Sequence, residues 1–137
     1  MKRLLPLLLL LFVFGCDDDN FNNNNPNIPS YNFSVDLNLS LPGYNSLNYP
    51  GNGIYLGGYG ARGIFVFYTG SGYVAYDAAC PNQPITACST MQLQGIVAVC
   101  PCDDVEYNIY TGQASGQRYP MKPYRVQTGP GYVRVYN

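Results

Sequence analysis

The sequence predicts an all-β domain, a small sandwich or barrel of antiparallel strands, and three observations predict it. The chain of 137 residues carries 15 Gly, 11 Pro and 14 Tyr, a composition of turn formers and a strand-favouring aromatic that is poor in helix formers. No window of the region from Tyr31 onward repeats apolar residues at a spacing of three or four, so no helix is expected there. Tyr31, Phe33, Val35, Leu37 and Leu39 instead alternate with Asn32, Ser34, Asp36, Asn38 and Ser40, which is the two-residue period of a strand with one wet face.

Taken in chain order, the first element is a leader. Lys2 and Arg3 precede an apolar run from Leu4 to Phe14, which is too short to span a hydrocarbon core of about 30 Å comfortably as a helix. That is the layout of a signal peptide over residues 1–15. The stretch Val13-Phe14-Gly15-Cys16 resembles a lipobox, where a bacterial signal peptidase cuts before a cysteine bearing diacylglycerol, so Cys16 is the expected lipidation site and membrane anchor. The leader holds two of the seven basic residues and none of the eight acidic ones, which leaves an acidic mature chain and argues against a nucleic-acid partner. Residues 16–30 follow with Asp17-Asp18-Asp19 and a run of asparagines, too polar to bury, and are expected as a lipid-anchored disordered tether. The acidic run resembles surface-export signals of Bacteroidetes lipoproteins, which implies an outer-membrane protein, periplasmic or surface-exposed.

Residues 31–137 form the expected β domain. After the alternating strand, Leu41-Pro42-Gly43 is a stop. Apolar runs at Ile54 to Leu56, Ile64 to Tyr68 and Tyr73 to Tyr76 supply further strands, and Gly70-Ser71-Gly72 between the last two reads as a β-hairpin. Short strands at Gly95 to Val99, Val105 to Tyr107, Tyr124 to Val126 and Tyr132 to Tyr136 complete the set, the final pair turned by Gly129-Pro130-Gly131.

With Cys16 assigned to lipid, Cys80, Cys88, Cys100 and Cys102 remain, all in two loops. In an oxidising exported compartment an even set of cysteines in a small domain means disulfides, and four cysteines allow three pairings. Cys100 and Cys102 are separated by one residue, so a bond between them closes a strained ring, and each is expected to pair across to the first loop. The two loops are then neighbours.

The order of features resembles a Rieske domain. Tyr73-Val74-Ala75-Tyr76-Asp77-Ala78-Ala79-Cys80-Pro81 is similar to the hairpin and first ligand loop of that family, and Cys100-Pro101-Cys102-Asp103 with Glu106-Tyr107-Asn108 and Thr111-Gly112 to its second. Gly116-Gln117-Arg118 and Pro120-Met121 sit where the family's closing loop falls, and the resemblance runs from about Leu56 to Asn137. It implies a Rieske-like antiparallel fold with two cysteine-bearing loops, of the kind found in exported Bacteroidetes lipoproteins.

The departures decide the chemistry. A Rieske [2Fe-2S] centre holds one iron by two cysteines and the other by two histidines, and this chain has no histidine. Cys80 and Cys100 occupy the thiolate positions, while Asn82 and Asp103 stand at the histidine positions, where an amide is a poor iron ligand and a carboxylate a hard one. No metal and no cofactor are therefore expected, the alternative being an atypical [2Fe-2S] cluster held through cysteines. In some relatives an extra cysteine in each loop forms a disulfide clip, and Cys88 and Cys102 fall near those positions. The resemblance thus implies Cys88 with Cys102, and Cys80 close enough to Cys100 to oxidise as a second bond; the crossed pairing and a metal site stay open.

No nucleophile-base arrangement and no glycine-rich phosphate cradle is present, so no catalytic residue is expected; Gly57-Gly58-Tyr59-Gly60 reads as a turn or bulge. Asp103, Asp104 and Glu106 read as a solvated loop rather than a calcium site, and Arg118, Lys122, Arg125 and Arg134 as the solubilising cations of one sheet face. The expected function is that of a non-enzymatic, lipid-anchored envelope protein stapled by disulfides and meeting a protein partner the sequence does not name. The alternative is electron transfer of Rieske type through a cysteine-held cluster.

Overall fold

The computed structural model describes residues 21–137, so the expected signal peptide, the Cys16 lipidation site and the first part of the tether lie outside the described residues. Nine strands form two antiparallel sheets: β1 Ser34–Asn38, β2 Gly53–Leu56, β3 Ile64–Tyr68, β4 Tyr73–Asp77, β5 Gln92–Gln94, β6 Val97–Val99, β7 Glu106–Asn108, β8 Pro123–Gly129 and β9 Tyr132–Tyr136. The larger sheet has the order β1-β9-β8-β4-β3-β2 and curls into a half-barrel; the smaller has the order β5-β6-β7. Among the described residues no helix is long and apolar enough to cross a membrane.

The continuous apolar run Ile64-Phe65-Val66-Phe67 has a physical reason in its central position. Ile64 and Val66 face one core with Leu37, Leu47, Ala75, Val133 and Val135, inside the curl of the larger sheet. Phe65 and Phe67 face a second core with Tyr76, Met91, Ala98, Tyr107 and Ile109, between the sheets and under the cysteine loops. A strand buried on both faces cannot alternate with polar residues. β1 has only one buried face: Leu37 is fully buried, Phe33, Val35 and Leu39 pack beside it, and Asp36 pairs with Arg134 of β9 across the wet face.

Turn chemistry fixes the registers. Tyr68 pairs with Tyr73, and the β3-β4 hairpin turns on Gly70, with φ of 99°, and Ser71, the glycine-first pattern of a type II′ turn. Gly129 pairs with Tyr132, so Pro130 and Gly131, with φ of 74° at the glycine, make the proline-glycine turn between β8 and β9.

The structure departs from the sequence expectation at several places, the unexpected strand β5 among them. Residues 45–48 form one turn of 3-10 helix that buries Leu47 and is tied down by the Asn48 amide, which donates to the Leu39 carbonyl. The stretch Gly95 to Val99 is not one strand: Gly95 and Ile96 turn the chain between β5 and β6. Residues 21–30, expected as part of a disordered tether, lie against the domain, because polar side chains there bond the domain's backbone. Asn25 and Asn27 both donate to the Pro81 carbonyl, Asn23 donates to the Pro123 carbonyl, and Ile28 is 2% exposed. Lys122, expected on a solvated face, is 1% exposed, and its ammonium donates to the Asn23 carbonyl and to Ser30 Oγ. The N-terminal segment therefore supplies the partners that a buried cation needs.

Candidate functional site

The two cysteine loops leave the second core side by side. The first runs from Ala79 to Thr90 and is closed at its base by backbone bonds from Cys80 N to Ser89 O and from Met91 N to Ala78 O. The second is the tight connection between β6 and β7, where Cys100 N donates to Val105 O and Asp104 N to Cys100 O, with Asp104 at φ of 60°. Cys80 bonds to Cys100 and Cys88 to Cys102, so each bond crosses from one loop to the other. The inner pair is buried, at 1% and 0% exposure, whereas Cys88 faces solvent and Cys102 is half-buried.

Asn82 and Asp103, at the positions matched to histidine ligands, are both used by the chain itself. The Asn82 amide donates to Tyr107 Oη at 2.9 Å and to the Tyr119 carbonyl at 2.8 Å, and its Oδ1 accepts from Tyr119 N at 2.8 Å. It is thus a bracket joining the first loop, β7 and the segment ahead of β8. Asp103 is exposed and accepts from Val105 N, a local turn bond. The donor set of a Rieske centre, two thiolates and two imidazoles, does not fit these residues. The metal-capable group among the described residues is Cys80, Cys100 and Cys102, whose Sγ atoms lie within 4.8 Å of one another; Asp103, Asp104 and Glu106 are not in it.

Three polar side chains face the sulfurs. Gln83 Nε2 donates to Cys100 Sγ at 2.8 Å. Thr86 Oγ1 lies 3.4 Å from Cys88 Sγ and 3.8 Å from Cys102 Sγ, and Ser89 Oγ lies 3.9 Å from Cys102 Sγ. A disulfide sulfur carries no hydrogen, so Thr86 Oγ1 is the hydroxyl left to donate to it, while the single Ser89 proton goes to the Pro84 carbonyl at 3.2 Å.

Asp77, which no functional motif pointed to, holds the base of the first loop. It is fully buried, and its carboxylate accepts from Ala61 N at 2.6 Å, Arg62 N at 3.2 Å, Ala79 N at 2.8 Å and Tyr124 Oη at 2.7 Å. The Gly57 to Gly60 turn exists to make this approach. A Cβ on Gly60, at φ of 63°, would stand 2.4 Å from Asp77 Oδ2, so only glycine fits. The signal in the sequence was an acidic residue at the end of an otherwise apolar strand, two residues before the glycine-rich turn's partner loop begins.

Burial and, secondarily, the Asp77 charge and hydrogen bond push the Tyr124 hydroxyl far above its ordinary range. Burial also raises Tyr73, Tyr76 and Tyr107, while it lowers Lys122 against the opposing pull of Asp77. A tyrosine with a raised folded pKa contributes stability that is fully present below its unfolded value near 10 and is lost as pH rises through the folded one; Lys122 works in the opposite sense. With four tyrosines against one lysine, the urea midpoint is expected to fall once pH exceeds about 10. A midpoint that keeps rising beyond that pH would contradict the balance.

An open groove of about 700 Å³ is lined by Phe21, Tyr73, Tyr124, Arg125 and Tyr136, among others, and none of its lining residues is a cysteine.

No protein-family model and no curated protein matches the chain. Solved structures do. A chain of the complex of reduced oxygenase and oxidized ferredoxin in carbazole 1,9a-dioxygenase is 27% identical, with a TM-score of 0.47, over 64% of this chain and 82% of that one. The Sphingomonas yanoikuyae B1 ferredoxin is 19% identical, with a TM-score of 0.46, over 67% and 93%. The apo form of a quaternary ammonium Rieske monooxygenase is 16% identical and superposes with a TM-score of 0.50 over 77% of this chain, which spans 32% of that protein's length. That last likeness bears on the fold alone, and with the two loops in place it shows that the chain has a Rieske-like fold.

Proposed function

We propose that this is a non-enzymatic, lipid-anchored protein of the bacterial envelope, in which a Rieske-like fold carries two disulfides where its relatives carry a cluster. The observation that supports it most is the state of the ligand positions. Cys80 is bonded to Cys100, and Asn82 and Asp103 are committed to the chain's own backbone and to Tyr107. The loops then serve as a rigid, oxidised surface for a protein partner, held near an outer membrane by lipid on Cys16. Under this reading the purified protein is colourless and lacks iron and acid-labile sulfide.

A second reading, electron transfer through a cysteine-held [2Fe-2S] cluster, draws support from one observation. The Sγ atoms of Cys80, Cys100 and Cys102 already lie within 4.8 Å of one another, close enough to serve a common centre once reduced. Iron assay, sulfide assay and the visible spectrum of anaerobically purified protein separate the two. Stoichiometric iron and acid-labile sulfide with a visible absorption would replace the first reading by the second.

A further inference from the structure

The two disulfides differ in access and yet lie side by side. Cys88 is exposed, Cys80 and Cys100 are buried, and Cys102 stands between, its Sγ within 4.8 Å of both inner sulfurs. We propose that the pair is a single thiol–disulfide exchange unit: an external dithiol reduces the outer bond at Cys88, and the released Cys102 sulfur attacks Cys80. This goes beyond a static staple and rests on the disulfide-bearing reading above.

The steps balance as follows in chemical terms. A thiolate of the dithiol attacks Cys88 Sγ, Cys88 being the exposed residue of the four, forming a mixed disulfide and expelling the Cys102 thiolate. Cys102 attacks Cys80 Sγ, the Cys80–Cys102 bond forms, the Cys80–Cys100 bond breaks, and Cys100 leaves as thiolate. The second thiol of the reductant resolves the mixed disulfide at Cys88 and departs as the oxidised reductant. Two electrons and two protons pass from the dithiol to the protein, which ends with thiols at Cys88 and Cys100 and a disulfide between Cys80 and Cys102.

Attack on Cys80 rather than Cys100 follows from ring size, since a bond between Cys100 and Cys102 would bridge residues two apart. The hydrogen bonds match these roles. The Thr86 hydroxyl faces Cys102, where the first thiolate appears, and Gln83 donates to Cys100, the second leaving group. The Gln83 amide, 2.8 Å from Cys100 Sγ, is placed to donate to the sulfur that leaves.

The test treats the purified full protein with one equivalent of dithiothreitol, quenches with acid, alkylates the free thiols and maps peptides without reduction. The expected product is a Cys80–Cys102 peptide with label on Cys88 and Cys100. Label on Cys88 and Cys102 with Cys80–Cys100 intact, or all four cysteines labelled together, would overturn the exchange. Gln83→Ala is expected to lower the ratio of rearranged to unrearranged product by about threefold, the worth of one such hydrogen bond. Cys88→Ser gives a second test without reductant: Cys102 is then unpaired, and label is expected to divide between Cys102 and Cys100. Label confined to Cys102 in that variant would also overturn the proposal. Iron or free thiols in the untreated protein would instead overturn the disulfide-bearing reading, and the exchange with it, before any dithiol is added.

Discussion

Asp77→Ala is expected to cost about 4 kcal/mol or more, among the largest losses that a single substitution in this chain can cause. Four donors converge on the buried carboxylate: three backbone N–H groups and the Tyr124 hydroxyl. Alanine leaves all four without a partner in a site closed to water, at about 1–3 kcal/mol for each orphaned group. The damage reaches the cysteine loops, because Ala79 N is one of the four and Cys80 is the next residue. Asp77→Asn keeps the shape and loses less. Its amide can donate to Tyr124, whose hydroxyl then accepts, and one backbone donor, that of Ala61, is left facing an N–H. Urea denaturation followed by circular dichroism checks both, and an alanine loss below about 1 kcal/mol would contradict the network.

Replacing the inner pair, Cys80→Ala with Cys100→Ala, is the second large effect. The bond closes a sequence separation of 20 residues, and the chain-entropy model assigns it about 3 kcal/mol. Both sulfurs lie in the second core beside Met91, Ala98 and Tyr107, so their removal also leaves a cavity costing about 1 kcal/mol or more. The outer pair closes a separation of 14 residues, for a nearly equal entropic contribution, but Cys88 is exposed and adds little packing. The inner double variant is therefore expected to melt about 15 °C or more below the parent and below the outer double variant. An outer variant that melts lower than the inner one would show that the staple at the loop tips, not the buried bond, holds the core.

Much of the fold was legible because local chemistry and tertiary demand agree. The apolar run of β3, the Gly70-Ser71 hairpin, the Pro130-Gly131 turn and the alternation of β1 each state in sequence what the packing requires. β5 was not legible, since Gln92-Leu93-Gln94 offers one apolar residue and takes its strand form from pairing with β6. The docking of residues 21–30 was hidden for a related reason: asparagines that read as solvated bond to the Pro81 and Pro123 carbonyls, which only the fold brings near. Lys122 was misread with them, because the Asn23 carbonyl and Ser30 that satisfy it lie about a hundred residues away in sequence.

At the candidate site the sequence shows that the chain has no histidine, but not how Asn82 and Asp103 are used. Asn82 was visible as a departure from histidine, while its role as a bracket to Tyr119 and Tyr107 depends on loops far apart in the chain. Gln83 and Ser89 carried no motif at all; what marks them is distance to sulfur.

The central claim is that cross-loop disulfides occupy the place of a Rieske cluster, and the most direct test is a non-reducing peptide map of the purified, untreated protein. The account predicts two cross-linked peptides, Cys80 with Cys100 and Cys88 with Cys102, and no alkylated cysteine among the four. Recovery of Cys80 and Cys100 as free, alkylatable thiols alongside bound iron would contradict it.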